Sequence, residues 1–361
     1  MASPAKGPNL KTVASAVGVS VATVSNAYNK PDHLSAELRT RIFATARELG
    51  YAGPDPAARS LRGRHSGSIG VLSTVPLSYA FTDPYCTEYL AGVADVAERY
   101  QTSVLLIPLA PRGVSSDEEV RQSVVALRNA VIDGVVIDGI DDGHPALRVV
   151  DERRLPRVRS TDDPAGRCVL IDDRAAGELL GRHLAGLGHR NVSVVAASVH
   201  APGQISVAAD DGELYPYARL RVAGLRDGLE AGGHVTVMAV GPNRTEDGQA
   251  ATAEILRREP RPTAIAATSD ALALGVIAAL RERRAGPGAE VSVTGFDDIP
   301  AAVAAGLTTV RQPIREKGRL MARMLLDPSL TQRRIVLPAE LIVRTSTAPA
   351  PAVTSATSAS R

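Results

Sequence analysis

Apolar side chains recur at helical spacing in residues 10–29, whose sequence is LKTVASAVGVSVATVSNAYN. Val13 and Val17 share one face of a first helix, and the same spacing resumes in a second helix further along. Gly18 interrupts the pattern, and Ser20 stands where the second helix needs an N-cap oxygen. Two short amphipathic helices joined by a tight turn predict a helix-turn-helix. A plain αα-hairpin packed on a larger core has the same pattern.

A third amphipathic helix is predicted over residues 35–49, beginning at Ser35 and ending before Gly50. Three helices in roughly 45 residues bury little apolar surface, so this unit needs a further purpose or partner. The exposed face of the second helix carries small and polar side chains. Such a face fits the major groove of DNA without steric conflict.

The pattern changes after residue 67 to buried strands alternating with amphipathic helices. Strands are predicted at 68–73, 103–109, 134–138, 169–172, 192–197, 235–240, 264–267 and 291–294. Helices are predicted between them, at 84–100, 115–130, 174–187, 216–231, 246–258 and 270–284. This alternation predicts parallel sheets with helices on both faces. Roughly 280 residues of it indicate two lobes rather than one.

Charge separates the same two regions. The net charge is only +2, but residues 1–65 carry nine Lys or Arg against four Asp or Glu, a net +5. The remainder therefore carries 2 − 5 = −3. A basic head on a mildly acidic body is expected for a DNA-binding protein with a separate sensor domain.

Several protein classes are disfavoured by what the sequence lacks. No apolar run is long enough for a membrane helix, and the N-terminus has no signal-peptide core, so we expect a cytoplasmic protein. Cys86 and Cys168 are too few for a disulfide framework or a metal site. Catalytic and nucleotide-binding motifs are absent, so no enzyme, cofactor or metal is predicted.

At the level of motifs, LKTVASAVGVSVATVSNAYN, LSAELRTRIFATARELGY and AARSL together resemble the DNA-binding headpiece of the lactose-repressor/galactose-repressor (LacI/GalR) family. The resemblance extends to about residue 345. It implies a small all-α helix-turn-helix headpiece, followed by a two-lobed α/β domain like the periplasmic binding proteins. It also implies double-stranded operator DNA, a small-molecule effector and a second copy of the chain as partners.

The resemblance and the composition give the following domain boundaries. Residues 1–9 are expected to be disordered, 10–52 to form the headpiece and 53–66 a hinge helix with a linker. The effector domain spans 67–345, with lobe 1 at about 67–161 and 293–325 and lobe 2 at about 162–292 and 326–345. Residues 346–361 form an Ala/Ser/Thr/Pro-rich tail that is expected to be disordered.

The resemblance also implies which residues meet DNA. Phosphate contacts are expected from Ser20, Thr23, Ser25, Asn29 and Ser35, and base contacts from Val21, Ala22 and Asn26. Further contacts are expected from Leu10, Lys11, His33, Arg59 and Arg62. Leu61 matches the hinge leucine that wedges between base pairs in the minor groove. Alternatively, Leu61 packs on the body of the protein.

For the effector site, the resemblance singles out three residues in a cleft between the lobes. Arg221 matches an effector-binding arginine, Asp270 a ligand-binding aspartate and Tyr85 a pocket aromatic. Asp162 and Asp163, which lie at a crossover, are weaker candidates. The three matched residues each have a structural alternative: Arg221 as a solvated helix arginine, Asp270 as a helix cap and Tyr85 as a core tyrosine. Residues 295–299 (GFDDI) are interpreted as a structural turn.

The sequence therefore predicts a cytoplasmic, homodimeric transcriptional regulator, more naturally a repressor, with a sugar as effector. A purine or nucleoside remains open as effector, and so does the direction of its effect. Two other classes remain as alternatives. A solute-binding module of periplasmic type shares the two lobes, and an α/β enzyme that processes sugars or nucleotides shares the fold class.

Overall fold

The protein is described by a computed structural model over residues 8–29, 31–53, 66–113, 115–229, 232–241, 243–283, 286–288 and 290–351. The chain divides into two compact units, Met1–Ser66 and Gly67–Arg361, each with its own packing. In the described part of the chain, no helix is both long and apolar enough to cross a membrane.

The first unit is a three-helix bundle. Its helices are α1 (Leu10–Val17), α2 (Val21–Asn29) and α3 (Ala36–Glu48), with a 3-10 turn at Pro31–His33. Their apolar faces meet in a small core of Val13, Ala14, Val24, Ala27, Ile42 and Ala46. The helix-turn-helix spacing follows from Gly18, whose φ of 75° lets the chain leave α1 in the left-handed conformation.

The start of this unit corrects one expectation. The sequence predicts disorder through residue 9, but Asn9 is the N-cap of α1. Its Oδ1 accepts from the backbone N–H of Lys11 (2.9 Å) and of Thr12 (3.2 Å). A capping asparagine satisfies N–H groups that the first helical turn leaves unpaired, which orders the residue.

The second unit contains parallel sheets with helices on both faces. Its helices are α4 (Leu77–Ala80), α5 (Pro84–Arg99), α6 (Asp117–Asn129), α7 (Pro145–Glu152), α8 (Asp173–Gly186), α9 (Pro216–Leu229), α10 (Thr245–Ile255), α11 (Asp270–Glu282), α12 (Pro300–Ala305) and α13 (Ile314–Leu326). Its strands are β1 (Ser68–Ser73), β2 (Ser103–Pro108), β3 (Val135–Ile137), β4 (Arg157–Arg159), β5 (Arg167–Ile171), β6 (Asn191–Ala197), β7 (Ile205–Val207), β8 (His234–Val240), β9 (Ala264–Ala267), β10 (Ser292–Asp297), β11 (Thr308–Arg311), β12 (Arg334–Leu337) and β13 (Glu340–Ile342).

Strand pairing defines the two lobes. Within the described residues, the first sheet has the order β12-β5-β4-β3-β1-β2 and the second has the order β13-β11-β10-β9-β6-β8-β7. All pairs are parallel except those made by β7 and β13 at the edges of the second sheet. The first lobe is therefore built around β1–β5 and β12, and the second around β6–β11 and β13.

The predicted lobe boundaries are wrong at all three crossovers. β5 pairs with β4 in the first sheet, so the chain first crosses after residue 171 rather than near 162. β10 and β11 belong to the second sheet, so the return lies after 311 rather than near 293. β12 pairs with β5, so the last crossing follows residue 337 rather than 325. Buried strands have similar sequences, so the sequence alone did not reveal which ones pair.

The tail expectation is wrong for residues 346–351, which pack on the second lobe. Ser346 Oγ donates to the carbonyl oxygen of Val293 (2.6 Å), and the backbone N–H of Ala350 donates to that of Leu187 (2.7 Å). Small residues bring this segment close enough for its backbone to be paired. Residues 352–361 lie outside the described residues.

Candidate functional site

A cavity of about 440 Å³ lies between the two lobes of the second unit. Its walls come from the carboxyl ends of β1, β3 and β5 in the first lobe, and from α9 and the end of β10 in the second. Ligands of doubly wound domains bind at this position, because loops after the strands bring side chains of different elements together.

Arg221 on α9 is buried in the second-lobe wall. Its guanidinium lies 3.4 Å from the ring centre of Phe296 and 4.8 Å from that of Tyr217. Nε donates to Asp173 Oδ1 (2.8 Å), and Nη1 donates to the carbonyl oxygen of Thr268 (2.7 Å). Nη2 meets no acceptor in the described part of the chain. The guanidinium is thus fixed in orientation while one nitrogen remains available to a ligand.

Glycines set the position of this arginine. α8 and α9 cross so closely that a Cβ on Gly177 would lie 2.2 Å from the carbonyl oxygen of Arg221. A Cβ on Gly224 would lie 1.8 Å from that of Arg174. The contact brings Asp173, the first residue of α8, within reach of the Arg221 side chain.

Asp297 lines the same wall and was missed by the sequence interpretation, which treated GFDDI as a turn. It ends β10 with a φ of 120°, an unusual value for a residue with a side chain. Gln312 Nε2 donates to its Oδ1 (2.5 Å), and Arg221 Nη1 lies 3.9 Å away. Burial raises the pKa of Asp297 well above its usual value, although Arg221 opposes the rise. Its place at the end of a buried strand is the signal that the sequence offers, although Asp270 also follows a buried strand.

Asp270 does not line the cavity, which corrects the predicted site. It is fully buried at the start of α11, where Oδ1 accepts from Thr309 Oγ1 (2.6 Å) and Oδ2 accepts from the backbone N–H of Ile299 (2.9 Å). Burial raises its pKa to about 7. Both oxygens join elements of the second lobe, and Ser269 rather than Asp270 caps α11, so the helix-cap alternative is wrong as well.

Tyr85 lines the first-lobe wall at the start of α5, together with two residues that the sequence analysis did not select. Its hydroxyl accepts from Lys317 Nζ (2.7 Å) and donates to Asp138 Oδ2 (3.3 Å). Lys317 Nζ also lies 3.1 Å from Asp138 Oδ1. Burial raises the pKa of Tyr85, which keeps its hydroxyl protonated and able to donate.

Asp163, the remaining candidate, is used in a turn rather than in the cavity. Its carboxylate accepts from Arg157 Nε (2.7 Å) and from the backbone N–H groups of Ala165 (3.1 Å) and Gly166 (2.9 Å). These bonds hold the connection between β4 and β5. Its neighbour Asp162 lines the cavity instead and pairs with Arg334 at 3.3 Å.

Two amides complete the cavity wall. Asn243 Nδ2 donates to Tyr217 Oη (2.8 Å), and Gln312 Nε2 donates to Asp297. Their oxygens, Asn243 Oδ1 and Gln312 Oε1, are buried and meet no donor within the described residues. No group of His, Cys, Asp and Glu in the described residues is arranged to hold a metal ion.

In the first unit, α2 presents the predicted base-contacting face. Val21 and Ala22 are exposed at its start, and Ser25 and Asn26 follow one turn later, half-buried. Ser20 Oγ accepts from the backbone N–H of Thr23 (3.0 Å), which fixes the start of this helix.

The other predicted contacts have mixed positions. Lys11 and His33 are exposed, Leu10 packs against the headpiece core, and Ser35 caps α3 by accepting from the N–H of Leu38 (3.3 Å). The remaining predicted contacts lie outside the described residues: the side chain of Asn29, and Arg59, Leu61 and Arg62.

Comparison with known families matches both units. Residues 9–53 match the model for bacterial regulatory proteins of the lacI family, and residues 182–347 match a periplasmic binding protein-like domain. An HTH-type transcriptional regulator of Mycolicibacterium smegmatis is 37% identical over 340 residues, covering 90% of this chain and 92% of the relative.

Solved structures give the same result. The lac repressor dimer bound to operator and an anti-inducer has a TM-score of 0.76 at 25% identity, covering 95% of this chain and 100% of that one. A complex of the transcriptional regulator CelR with cellobiose has a TM-score of 0.65 at 26% identity, covering 94% and 99%.

Proposed function

Because the chain belongs to the LacI family of bacterial regulatory proteins, we propose that it is a homodimeric repressor controlled by an uncharged polyhydroxylated molecule, a sugar or polyol. The ligand binds in the cavity between the lobes and sets the affinity for operator DNA. LacI-family proteins are ligand-responsive transcriptional regulators and not enzymes, and this chain has both parts of such a regulator. The match over residues 9–53 argues against a solute-binding module that lacks DNA regulation.

The pairing of the cavity cations carries the ligand assignment. Arg221 pairs with Asp173 at 2.8 Å and Lys317 with Asp138 at 3.1 Å. At the edge of the cavity, Arg334 pairs with Asp162. Each of these cations is thus neutralised by a carboxylate, as is Arg174, which also lines the cavity, by Asp227 at 2.8 Å. A phosphate or carboxylate ligand would find no surplus positive charge here, whereas hydroxyl groups need none.

The remaining polar atoms suit hydroxyl groups. Arg221 offers its Nη2 donors, and the carboxylates of Asp138 and Asp173, which line the cavity, offer acceptors. A hydroxyl both donates and accepts, so it can satisfy both kinds of group.

A nucleoside is the second candidate, and the aromatic residues disfavour it. Tyr217 already contacts Arg221 and a parallel ring, Tyr215, whose centre is 5.9 Å away. Tyr85 packs against a parallel ring, Tyr89, at 6.4 Å, and Lys317 meets its hydroxyl. Because both tyrosines already pack against another ring, and Tyr217 also against Arg221, the cavity offers less free ring surface on which a purine could stack.

The DNA-binding half of the proposal rests on α2 and the family match. The exposed side chains at its start are small, which lets the helix approach base edges, and the 9–53 match is to the lacI-family regulators. We further propose that Leu61 acts as a minor-groove wedge in a paired hinge, that the protein works in the cytoplasm, and that ligand binding moves one lobe and alters the hinge.

The test is ligand-dependent stability of the full chain. Neutral sugars, hexitols and cyclitols, their phosphate monoesters and purine nucleosides are compared by thermal shift and then by operator binding. At 100-fold excess over Kd a true ligand stabilises by about 2.7 kcal/mol. We expect shifts from neutral compounds only, and their loss in Arg221→Ala but not in Arg219→Ala, whose side chain is exposed on the same helix. Shifts from phosphate esters or nucleosides alone would contradict the proposal.

A further inference from the structure

Lys317 is unusual in this chain. Only four of the 41 Lys and Arg residues are lysines, and the other three precede residue 31. Lys317 is therefore the one lysine of the second unit, in a sequence that otherwise uses arginine for positive charge. It is also buried, with 7% of its surface exposed, and it lines the cavity. The composition of the chain therefore does not account for a lysine at this position, and its local geometry does.

The surroundings of its ammonium leave one donor unused. Nζ donates to Tyr85 Oη at 2.7 Å and lies 3.1 Å from Asp138 Oδ1. An ammonium carries three N–H groups and accepts nothing. In the described part of the chain the third N–H has no acceptor. Asp138 and Tyr85 hold Nζ in place and neutralise its charge, so the third N–H is oriented before any ligand arrives.

The chemistry of the site accounts for lysine rather than arginine. An ammonium is a compact point donor, whereas a guanidinium is a planar fork that reads two acceptors at once. Beside Tyr85 and Asp138, a third and single acceptor is all that the geometry can serve. The hydroxyl oxygen of a neutral ligand fits this requirement. Such a ligand is uncharged, so it leaves the charges of the Lys317–Asp138 pair balanced.

We propose that Lys317 is a specificity-determining residue of the first lobe, whose third N–H donates to one hydroxyl oxygen of the ligand. This inference rests on the proposed function and deepens it. Arg221 holds the ligand from the second lobe and Lys317 from the first, so one molecule bridges both walls. The hydroxyl read by Lys317 then helps decide which sugar or polyol draws the lobes together.

The experiment measures binding by isothermal titration calorimetry on the full chain. The probes are the neutral sugars, hexitols and cyclitols that bind the unmodified protein, with a series of deoxy analogues of each. Lys317→Met is expected to weaken binding by about 10- to 100-fold, the range for a hydrogen bond to a charged group. One deoxy analogue should bind the unmodified protein as weakly as the parent compound binds Lys317→Met. Lys317→Met should bind this deoxy analogue and the parent compound with the same affinity.

Two further variants separate recognition from folding. Lys317→Met leaves Asp138 without its cation, so the double variant Lys317→Met/Asp138→Asn removes both charges and restores balance. The double variant should fold, and it should bind the parent compound and the critical deoxy analogue with equal affinity. Arg319→Met, on the same helix and paired with Asp95, should bind every probe normally.

The outcomes discriminate between the two proposals. If neutral ligands bind and Lys317→Met keeps the affinity and deoxy pattern of the unmodified protein, the role of Lys317 is overturned while the proposed function stands. If no neutral compound binds the unmodified protein, the proposed function is overturned and this inference with it.

Discussion

The hydroxyl of Tyr79 in the first lobe donates to the main-chain carbonyl oxygen of Asn243 in the second lobe, 2.7 Å away. The two residues are 164 positions apart in sequence and both line the cavity. Asp83 Oδ1 lies 3.0 Å from the same hydroxyl. Burial raises the pKa of Tyr79, so the hydroxyl stays protonated and available as a donor. The bond can form only while the lobes are close together. The Tyr79 side chain therefore stabilises the closed arrangement of the lobes.

We expect Tyr79→Phe to favour separation of the lobes. The substitution keeps the ring and removes only the hydroxyl, so the loss should be about 0.5–1.5 kcal/mol, the net value of a typical hydrogen bond. Ligand affinity should fall by up to about tenfold, and small-angle scattering of the ligand-free protein should give a larger radius of gyration.

Tyr100→Phe is the matched control for this prediction. Tyr100 follows the last residue of α5 in the same lobe and does not line the cavity. If the two variants have the same affinity and the same scattering curve, the Tyr79–Asn243 bond has no role in closure.

A second prediction concerns the crossing of α8 and α9. In Gly224→Ala the new methyl would overlap the carbonyl oxygen of Arg174, so the helices must move apart. Overpacking of this kind costs about 1–3 kcal/mol. Moving α9 away from α8 also stretches the bond from Arg221 to Asp173, so ligand affinity should fall along with the melting temperature.

Gly186→Ala, on α8, controls for the change of residue type. A Cβ at Gly186 meets nothing within 4 Å, and its backbone is helical. This variant should be as stable as the unmodified protein or slightly more so, because alanine favours the helix. Equal melting temperatures for the Gly224 and Gly186 variants would show that the helices tolerate separation.

Two aspartates show how far the sequence determines the site and where it stops. Asp270 and Asp297 both end or follow a buried strand, and the sequence pattern gives no reason to prefer one. The choice depends on the backbone. Asp297 has a positive φ and lies on the cavity wall, whereas the carboxylate of Asp270 is consumed by Thr309 and Ile299.

The sequence also does not determine which strands belong to each lobe. Helix and strand existence follows from periodicity, and the cap at Ser20 correctly locates the start of α2. Which sheet a strand joins depends on long-range register, such as Val293 opposite Ile265, and on no feature of the strand itself. Tyr85 and Arg221 do line the cavity, but their partners come from distant elements: Lys317 and Asp138 for Tyr85, and Asp173 for Arg221.

Asp270 also leads to a prediction about pH. Its pKa in the folded protein, about 7, is above the value near 4 of an unfolded aspartate. Between about pH 4 and about pH 7, Asp270 is deprotonated in the unfolded chain but still protonated in the folded protein. Its contribution to the free energy of unfolding therefore falls as pH rises through this range. Below about pH 4 both states are protonated and this effect vanishes.

We therefore expect Asp270→Asn to reduce this pH dependence. Urea unfolding at about pH 5 and about pH 8 should show the variant gaining stability relative to the unmodified protein at the higher pH. Asp117→Asn, at the exposed start of α6, should leave the difference between the two pH values unchanged. A stability difference between Asp270→Asn and the unmodified protein that is the same at both pH values would contradict the raised pKa.

The last prediction concerns DNA sequence. Asn26 lies one turn after Ala22 on α2, within the face proposed to read bases. An asparagine amide pairs with the donor and acceptor of adenine, whereas arginine pairs with two acceptors of guanine. In a binding-site selection, Asn26→Arg should therefore shift the preference at one base pair in each half-site from A towards G. The expected discrimination is about 1–3 kcal/mol.

Thr40→Arg separates base reading from added charge, because Thr40 is exposed on α3 rather than α2. It should strengthen binding to all sequences at low salt and leave the selected site unchanged, since phosphate attraction carries no sequence information. If Asn26→Arg behaves in the same way as Thr40→Arg, then Asn26 contacts the backbone of the DNA and another part of α2 reads that base pair.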